Sequence, residues 1–178
     1  MHARPATALD FRVRIATPGD VEAIAAVGKV IENLHRDARP ESFDDVPDYG
    51  RFNASWRERI AGHGRRGWVA EVSEVRASDG ERRIVGILTV HLLDRQHGHA
   101  SLRMAYVNAV GVYGAHRRRG IATALMREAE TWAKSNGACE LRLDVWSFNA
   151  DAVAFYEALG YRTRSVAMAK SFGGGIEG

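Results

Sequence analysis

Residues 110–123 read VGVYGAHRRRGIAT, and the architecture that we predict for the chain follows from this stretch. It connects a strand-like segment, Ser101 to Val112, to a strongly amphipathic helix predicted from about His116 to Ser135. The first amides of a helix have no intrahelical partner and carry the positive end of the helix dipole. Because Gly120 and Ala122 leave these amides uncovered, the turn predicts a site for a phosphate group.

Three consecutive arginines, Arg117, Arg118 and Arg119, stand at this predicted helix start. Positive charges there oppose the helix dipole and cost a few tenths of a kcal/mol each unless an anion is bound. A basic helix start exposed to solvent is the simpler alternative. We favour a bound anion, because local conflicts of this kind mark functional sites.

Strands and helices alternate on both sides of this stretch. Thr17-Pro18-Gly19-Asp20 has a capping-box pattern and opens the first helix. The other predicted elements are strands at 11–16, 67–74, 83–93, 141–145 and 161–170, polar turns at 77–80 and 94–99, a loop at 37–49, and helices at 52–61 and 149–159. This order predicts an α/β (α+β) fold, with a mixed sheet that has helices on both faces.

The composition is that of an ordinary globular protein, with 178 residues, 46% hydrophobic and 26% charged. We expect one domain over residues 1–178, with a core at about 11–170 and a Gly-rich tail at 171–178. The single cysteine, Cys139, excludes an internal disulfide framework and any multi-cysteine zinc site. Without a signal peptide or a long apolar run, the expectation is a soluble cytoplasmic protein. The net charge of +3 permits an anionic ligand without requiring one.

Residues 62–67 read GHGRRG and match the G-x-G-x-x-G pattern of dinucleotide-binding loops. That pattern must follow a strand and open a helix, whereas this segment precedes the strand predicted at 67–74. We therefore interpret it as a basic loop.

Two blocks of sequence carry a resemblance to a known family. Arg117-x-x-Gly120-x-Ala122 resembles the phosphate-loop signature of the GNAT family of N-acetyltransferases, and Asn149-x-x-Ala152-x-x-Phe155-Tyr156 through Gly160-Tyr161 resembles its second signature. The resemblance runs from Phe11 to Lys170. It implies a mostly antiparallel sheet of six to seven strands with one splayed parallel pair, and it implies that acetyl-CoA binds where that pair opens, near Val112 and Val145.

The resemblance also assigns residues to the cosubstrate. The backbone of residues 110–112 would pair with the pantetheine arm, the loop from Arg117 would bind the pyrophosphate, and Asn149 would bind pantetheine in addition to its plain role as a helix cap. The expected acetyl-CoA-binding residues are Val110, Gly111, Val112, Arg117, Arg118, Arg119, Gly120, Ile121, Ala122, Thr123, Asn149 and Phe155.

Acetyl transfer to an amine requires a base for the amine, a donor for the thioester oxygen and an acid for the leaving thiolate. Tyr156 is the expected acid, since the resemblance places a tyrosine with this role here and a phenol ordinarily has a pKa near 10. A packing role beside Phe155 is the alternative. The backbone N–H near Val110 is a candidate donor for the thioester oxygen.

The base is less clearly indicated. Many members of the family carry a glutamate on the strand before the phosphate loop, but residues 104–110 contain no carboxylate. We expect Asp144, five residues before Asn149, to be the base, because N-terminal acetyltransferases of this family carry an acidic residue there. Glu71, His91 and Asn108 acting through water remain alternatives, and Asp144 can instead be structural.

The acceptor is expected to be a small-molecule or peptide amine, and a cationic one would suit the acidic loop from Arg39 to Tyr49. That loop contains Phe43 and Tyr49 beside Glu41, Asp44, Asp45 and Asp48, although a plain solvated loop is also consistent. The spacing of the histidines indicates no metal site. We expect no nucleic-acid or membrane partner, and a homodimer is left open. A non-catalytic acyl-CoA sensor is the alternative function.

Overall fold

The computed structural model describes residues 10–40, 49–73, 82–97 and 100–170. The chain divides into two compact units, residues 1–144 and 145–178, and each is described by itself. The expectation of a single domain stays a prediction. The regular elements are β1 Phe11–Ile15, α1 Val21–Ala38, α2 Tyr49–Ile60, β2 Arg65–Ser73, β3 Arg82–His97, β4 Ala100–Val112, α3 Ile121–Ser135, β5 Leu141–Arg142 and α4 Ala150–Ala158.

The first unit is built on one sheet with the strand order β1-β2-β3-β4-β5. Strands β1 to β4 pair antiparallel, and β5 pairs parallel with β4. The mixed, mostly antiparallel sheet is therefore confirmed, including its hairpin of β2 and β3. The described residues form five strands, fewer than the six to seven that were expected.

Helices cover both faces of this sheet, as predicted. On one face, α1 and α2 bury an apolar cluster that includes Ile24, Val27 and Trp56 against Val69 and Ile87 of the strands. On the other face lies α3, whose predicted apolar stripe is confirmed by its buried residues, which are Ile121, Leu125, Met126, Ala129 and Ala133. Partners in a strand ladder point to the same face, so these contacts identify the face of every paired residue.

The start of α1 confirms the predicted capping box. The carboxylate of Asp20 accepts hydrogen bonds from the backbone N–H of Thr17 at 2.7 Å and from its hydroxyl at 2.8 Å. The guanidinium group of Arg14 donates two hydrogen bonds, of 2.7 and 2.8 Å, to the same carboxylate. Pro18–Asp20 forms a 3-10 turn, and the α-helix follows from Val21.

Several predicted boundaries were wrong. Strand β3 ends only at His97, and β4 begins at Ala100, so the strands replace most of the polar turn expected at 94–99. They extend this far because their residues pair with each other along the ladder. Helix α3 begins at Ile121 and not at His116, because residues 114–116 form a 3-10 turn and Arg118 has a φ of +60°. A strand of only two residues, β5, replaces the one predicted at 141–145.

The strand predicted at 161–170 was also wrong. This segment has no regular secondary structure, and its apolar side chains are exposed, with Val166 at 77% and Met168 at 93%. A strand needs a neighbour for its backbone groups, and alternating residue types do not supply one. Within the described ranges, no helix is both long and apolar enough to cross a membrane.

Candidate active site

The segment between β4 and α3 forms an open loop that ends at the first turn of α3. Gly120 has a φ of +81° and precedes Ile121, the first residue of the helix. A methyl group added at Gly120 would meet no atom within 4 Å, so the space above the first amides of α3 is open. Such a turn fits a phosphate, because it combines uncovered N–H groups with the positive end of the helix dipole.

The three arginines ahead of this turn differ in their surroundings. The Nε of Arg117 donates a 3.1 Å hydrogen bond to the carbonyl oxygen of Val112, which ties the loop to the end of β4. Arg118 and Arg119 are exposed. All three precede the helix instead of forming its first turn. Positive charge ahead of an open helix start suits an anionic group.

His116 belongs to the same loop. Its Nδ1 is buried and has no hydrogen-bond partner among the described residues. Burial lowers the pKa of His116, as do the nearby charges of Arg119 and Arg83. Arg83, which the sequence did not single out, also lies over the ring of Tyr113, with 5.8 Å between its guanidinium carbon and the ring centroid. The loop therefore gathers positive charge from β3 as well as from its own residues.

Strands β4 and β5 form a fork. Their parallel pairing consists of Ala105 with Leu141 and Tyr106 with Arg142, and it ends there. Strand β4 continues to Val112, so its edge beyond Tyr106 has no strand partner on that side among the described residues. Residues 110–112 therefore form an edge that no described strand pairs with, and this edge leads towards the loop. This is the splayed parallel pair that was expected.

Side chains along this segment have different roles. Gly111 faces α1, where an added methyl group would lie 2.5 Å from Cδ1 of Ile31, so only glycine lets strand and helix approach so closely. The side chains of Val112 and Ile121 are buried in the core. The side chains of Val110, Ala122 and Thr123 are half-buried. Any contribution of Gly111, Val112 and Ile121 to acetyl-CoA binding therefore comes from their backbone.

A row of polar residues crosses the sheet at the point where β4 and β5 separate and the fork opens. Ladder pairing places Arg65 opposite His91, His91 opposite Tyr106, and Tyr106 beside Arg142, all on the face covered by α1 and α2. The rings of His91 and Tyr106 have centroids 5.6 Å apart. Burial raises the pKa of Tyr106 to about 12, with hydrogen bonding and the negative charge of Asp144 acting in the same direction. The predicted base, Asp144, therefore lies beside Tyr106 at the mouth of the fork.

A β-bulge interrupts β4 next to this row. Thr89 pairs with Ala109 and Val90 pairs with Val107, which leaves Asn108 as the extra residue. Bulges redirect side chains and often occur beside active sites. Tyr106 and the bulge were not identified from the sequence, because both depend on the register of β3 with β4, for which the sequence carries no local signal.

The alternative base Glu71 lies elsewhere and is engaged in ion pairs. It is 4% exposed, and its carboxylate accepts hydrogen bonds of 2.7 Å from Arg12 and from Arg14. Burial alone would raise the pKa of Glu71, but hydrogen bonds and charges from the two arginines outweigh it and lower the pKa. Both oxygens are occupied, so Glu71 has a structural role.

The second unit contains the other predicted site residues. The side chain of Asn149 accepts a 3.2 Å hydrogen bond from the backbone N–H of Ala152, which confirms its role as the cap of α4. Tyr156 packs against Phe155 and Tyr161, with ring centroids 5.2 and 5.9 Å away. Burial raises the pKa of Tyr156 to about 12, so the phenol stays protonated at neutral pH. Its role as acid, and the contacts of Asn149 and Phe155 with acetyl-CoA, remain predictions.

The last two expectations concern the acidic acceptor loop and metal binding. The acidic residues of the acceptor loop, 41–48, lie outside the described residues, as does the tail at 171–178. Across the part of the chain that is described, no group of three or more His, Cys, Asp and Glu residues is placed to hold a metal ion.

Comparison with known proteins identifies the family. Residues 29–161, which are most of the chain, match the acetyltransferase (GNAT) family. The chain belongs to the GNAT family. Among curated proteins it is similar to aminoglycoside N(6')-acetyltransferase type 1 of Acinetobacter haemolyticus, with 38% identity over 74 residues. That match covers 35% of the chain and 51% of the relative, so the chain spans about half the length of this relative.

Solved structures show that the fold is shared with other GNAT proteins. A mutant of the BH1408 protein from Bacillus halodurans superposes with a TM-score of 0.76 at 21% identity, covering 90% of this chain and 99% of that one. The aminoglycoside N-acetyltransferase AAC(6')-Iy, solved in complex with CoA, superposes with a TM-score of 0.67 at 18% identity, covering 96% and 99%. At such low identities these likenesses concern the fold alone.

Proposed function

We propose that this GNAT protein transfers the acetyl group of acetyl-CoA to a primary amine of an amino sugar, as in an aminoglycoside. The observation that carries the proposal is the fork between β4 and β5, whose free β4 edge leads directly to the open turn at Gly120. These two features match two adjoining parts of acetyl-CoA, the extended pantetheine arm and the doubly charged pyrophosphate. We also propose that the enzyme is cytoplasmic and uses no metal.

The choice of acceptor rests on two kinds of support. The curated relative acts on the N(6') amine of aminoglycosides, by its name, and its matching segment is 38% identical. In addition, Asp144 is exposed at the mouth of the fork, where a carboxylate can attract a cationic amine. Amino sugars carry several ammonium groups and therefore suit such a site.

The reaction proceeds by direct attack while both substrates are bound. The ammonium group first loses a proton, because only the free amine has a lone pair. Asp144, or a group that reaches the amine through a water molecule, accepts it. The amine nitrogen then bonds to the thioester carbon, the carbon–sulfur bond breaks, and Tyr156 donates its phenolic proton to the departing sulfur. The nitrogen loses its remaining extra proton, which returns the Tyr156 phenolate to the phenol. The backbone N–H near Val110 stabilises the charge that develops on the thioester oxygen.

The test is release of free thiol from acetyl-CoA with a panel of amines. The panel contains an aminoglycoside with a free 6' amine, the same aminoglycoside acetylated at that position, a linear polyamine and a basic peptide. We expect release with the first and little with the second. Release with the peptide alone would reject the amino-sugar acceptor. Tight acetyl-CoA binding without release for any amine would instead indicate an acyl-CoA sensor.

A further inference from the structure

Three buried polar atoms cluster at the bulge of β4 and have no hydrogen-bond partner within the described part of the chain. They are Oγ1 of Thr89, Nδ1 of His91 and Nδ2 of Asn108. Thr89 is only 1% exposed, so its hydroxyl has no access to bulk solvent. Leaving a buried polar group without a partner costs about 1–3 kcal/mol, and such groups are normally satisfied by protein or by an internal water.

The three residues are neighbours at the bulge, and the side chain of Asn108 interacts with that of His91. Thr89 and His91 are two residues apart on β3, so their side chains point the same way. Thr89 faces Ala109 and His91 faces Tyr106 across the ladder, and the extra residue Asn108 lies between these two pairs. Threonine, imidazole and carboxamide groups are therefore neighbours at the bulge, and two to four polar contacts are what an internal water requires.

This point adjoins the fork. His91 is opposite Tyr106, the last residue of β4 that pairs with β5, and Asp144 lies beside the Tyr106 hydroxyl. A proton that leaves an amine at the mouth of the fork therefore has an imidazole within the same row of side chains.

We propose that His91 accepts the proton lost by the acceptor amine, through a water molecule held by Thr89 Oγ1, His91 Nδ1 and Asn108 Nδ2. The inference rests on the proposed function and names the water-relayed base of that reaction. In the relay, the amine gives a proton to the water while the water gives one of its own to Nδ1, so that the water is regenerated and an imidazolium forms. His91 later releases this proton to solvent. A second proton leaves the nitrogen after the C–N bond forms, and its transfer to the Tyr156 phenolate restores the phenol that protonated the sulfur.

Imidazole is the better match to this task than a carboxylate. A base is most effective when its pKa lies near the working pH, and an imidazole ordinarily titrates near 6.5 whereas an aspartate titrates near 3.9. The relay needs a ring that is neutral at rest. Burial lowers the pKa of His91, and the charge of Arg65 lowers it further, while hydrogen bonding to the side chain of Asn108 and the backbone of Tyr106 partly opposes this. Asp144 is left free to hold the ammonium group by charge.

The titratable groups near His91 come from three neighbouring elements. Strand β2 contributes Arg65, which pairs with Glu58 of α2 at 3.3 Å. Strand β4 contributes the Tyr106 phenol, which stays protonated at neutral pH because its pKa is about 12. The nearest cation therefore favours a neutral His91.

The experiment compares pH profiles of kcat for four single variants. In the wild type we expect kcat to fall at acidic pH with an apparent pKa below 6.5, matching the titration of the His91 ring followed by NMR. His91→Gln should lower kcat by about a hundredfold or more and remove the acidic fall, since positioned bases contribute factors of 10²–10⁴. Thr89→Val and Asn108→Ala should lower kcat by about tenfold each and keep the acidic fall. Asp144→Asn should raise KM for the amine, and the fall of kcat at acidic pH should remain.

Each alternative result has a defined meaning. If His91→Gln retains the acidic fall, or if Asp144→Asn removes it, His91 is not the base. If a high-resolution crystal structure shows no water in contact with Thr89, His91 and Asn108, the relay is wrong. The proposed function fails separately, when the wild-type protein releases no thiol with any amine. Unchanged acetyl-CoA affinity in all four variants checks that each one is folded.

Discussion

The carboxylate of Glu71 lies between the guanidinium groups of Arg12 and Arg14, and Arg14 also binds Asp20. These residues come from β1, β2 and the turn before α1, so the network joins three elements at one edge of the sheet. The residue type of Glu71 permits a catalytic role, and the sequence alone left that role open. The ion pairs of Glu71 with Arg12 and Arg14 occupy its carboxylate and indicate a structural role instead. They could not be predicted from the sequence, because they form only when β1 and β2 pair.

The pH dependence of stability tests this network. Arg14 lowers the pKa of Asp20 from its ordinary 3.8 to about 2, against the opposing effect of burial. A lowered carboxylate pKa stabilises the folded state above the ordinary value, and this contribution is lost as the pH falls through the lowered value. We expect Asp20→Asn to reduce the free energy of unfolding by about 1 kcal/mol at neutral pH. The difference from the wild type should shrink between pH 3.8 and about 2 in urea titrations. A difference that does not vary with pH would contradict the ion pair.

The close contact of Gly111 with α1 gives a second prediction. In Gly111→Ala the new methyl group would lie 2.5 Å from Cδ1 of Ile31, so strand and helix must separate. We expect the free energy of unfolding to fall by about 1–3 kcal/mol. Gly114→Ala is the matched control, because a methyl group there meets nothing within 4 Å. Equal stability of the two variants in urea titrations would show that α1 does not pack on β4 in this way.

Tyr156 allows a prediction about the acid. We expect Tyr156→Phe to lower kcat by about a hundredfold, in the range for general acids, with little change in KM for acetyl-CoA. Because burial raises the pKa of Tyr156 to about 12, the wild-type kcat should not fall near the ordinary tyrosine pKa of about 10. Tyr161→Leu, which removes the ring packed against Tyr156, is the control. A rate loss of the same size in that control would indicate a packing role.

Among the elements, α3 shows where prediction from sequence succeeds and where it ends. Its apolar stripe follows from helical periodicity, and the helix ends near Asn136 as predicted. Its start was placed too early, because residues 114–116 form a 3-10 turn and Arg118 takes a left-handed conformation that no periodicity reports. The bulge at Asn108 is similar, since it exists only in the register of two strands.

The first turn of α3 can be tested with two glycines that flank α3 and share a conformation. Gly120 has a φ of +81° and Gly137 a φ of +75°, and a methyl group at either position meets nothing within 4 Å. Alanine at either position should therefore reduce stability by about 1 kcal/mol. Only Gly120→Ala should weaken acetyl-CoA binding, by about tenfold or more in calorimetric titrations, because its methyl group keeps a phosphate from the amides. Equal affinities would place the pyrophosphate elsewhere.

For the molecule as a whole, the sequence was sufficient for the mixed sheet, the helices on both faces and the glycine turn that opens α3. These features depend on local periodicity, on capping residues such as Asn149, and on two family signatures. The row from Arg65 to Arg142 was not predictable, because it depends on how four strands align. The ion pairs of Glu71 depend on the same kind of alignment. Long-range register is therefore what the structure adds to the candidate site.

A crystal structure of the protein with CoA tests whether the fork and the turn form one binding site. We predict the pantetheine arm along the backbone of residues 110–112 and the pyrophosphate within hydrogen-bonding distance of the amides that follow Gly120. CoA bound at any other surface, or a pyrophosphate that makes no contact with the start of α3, would contradict the account.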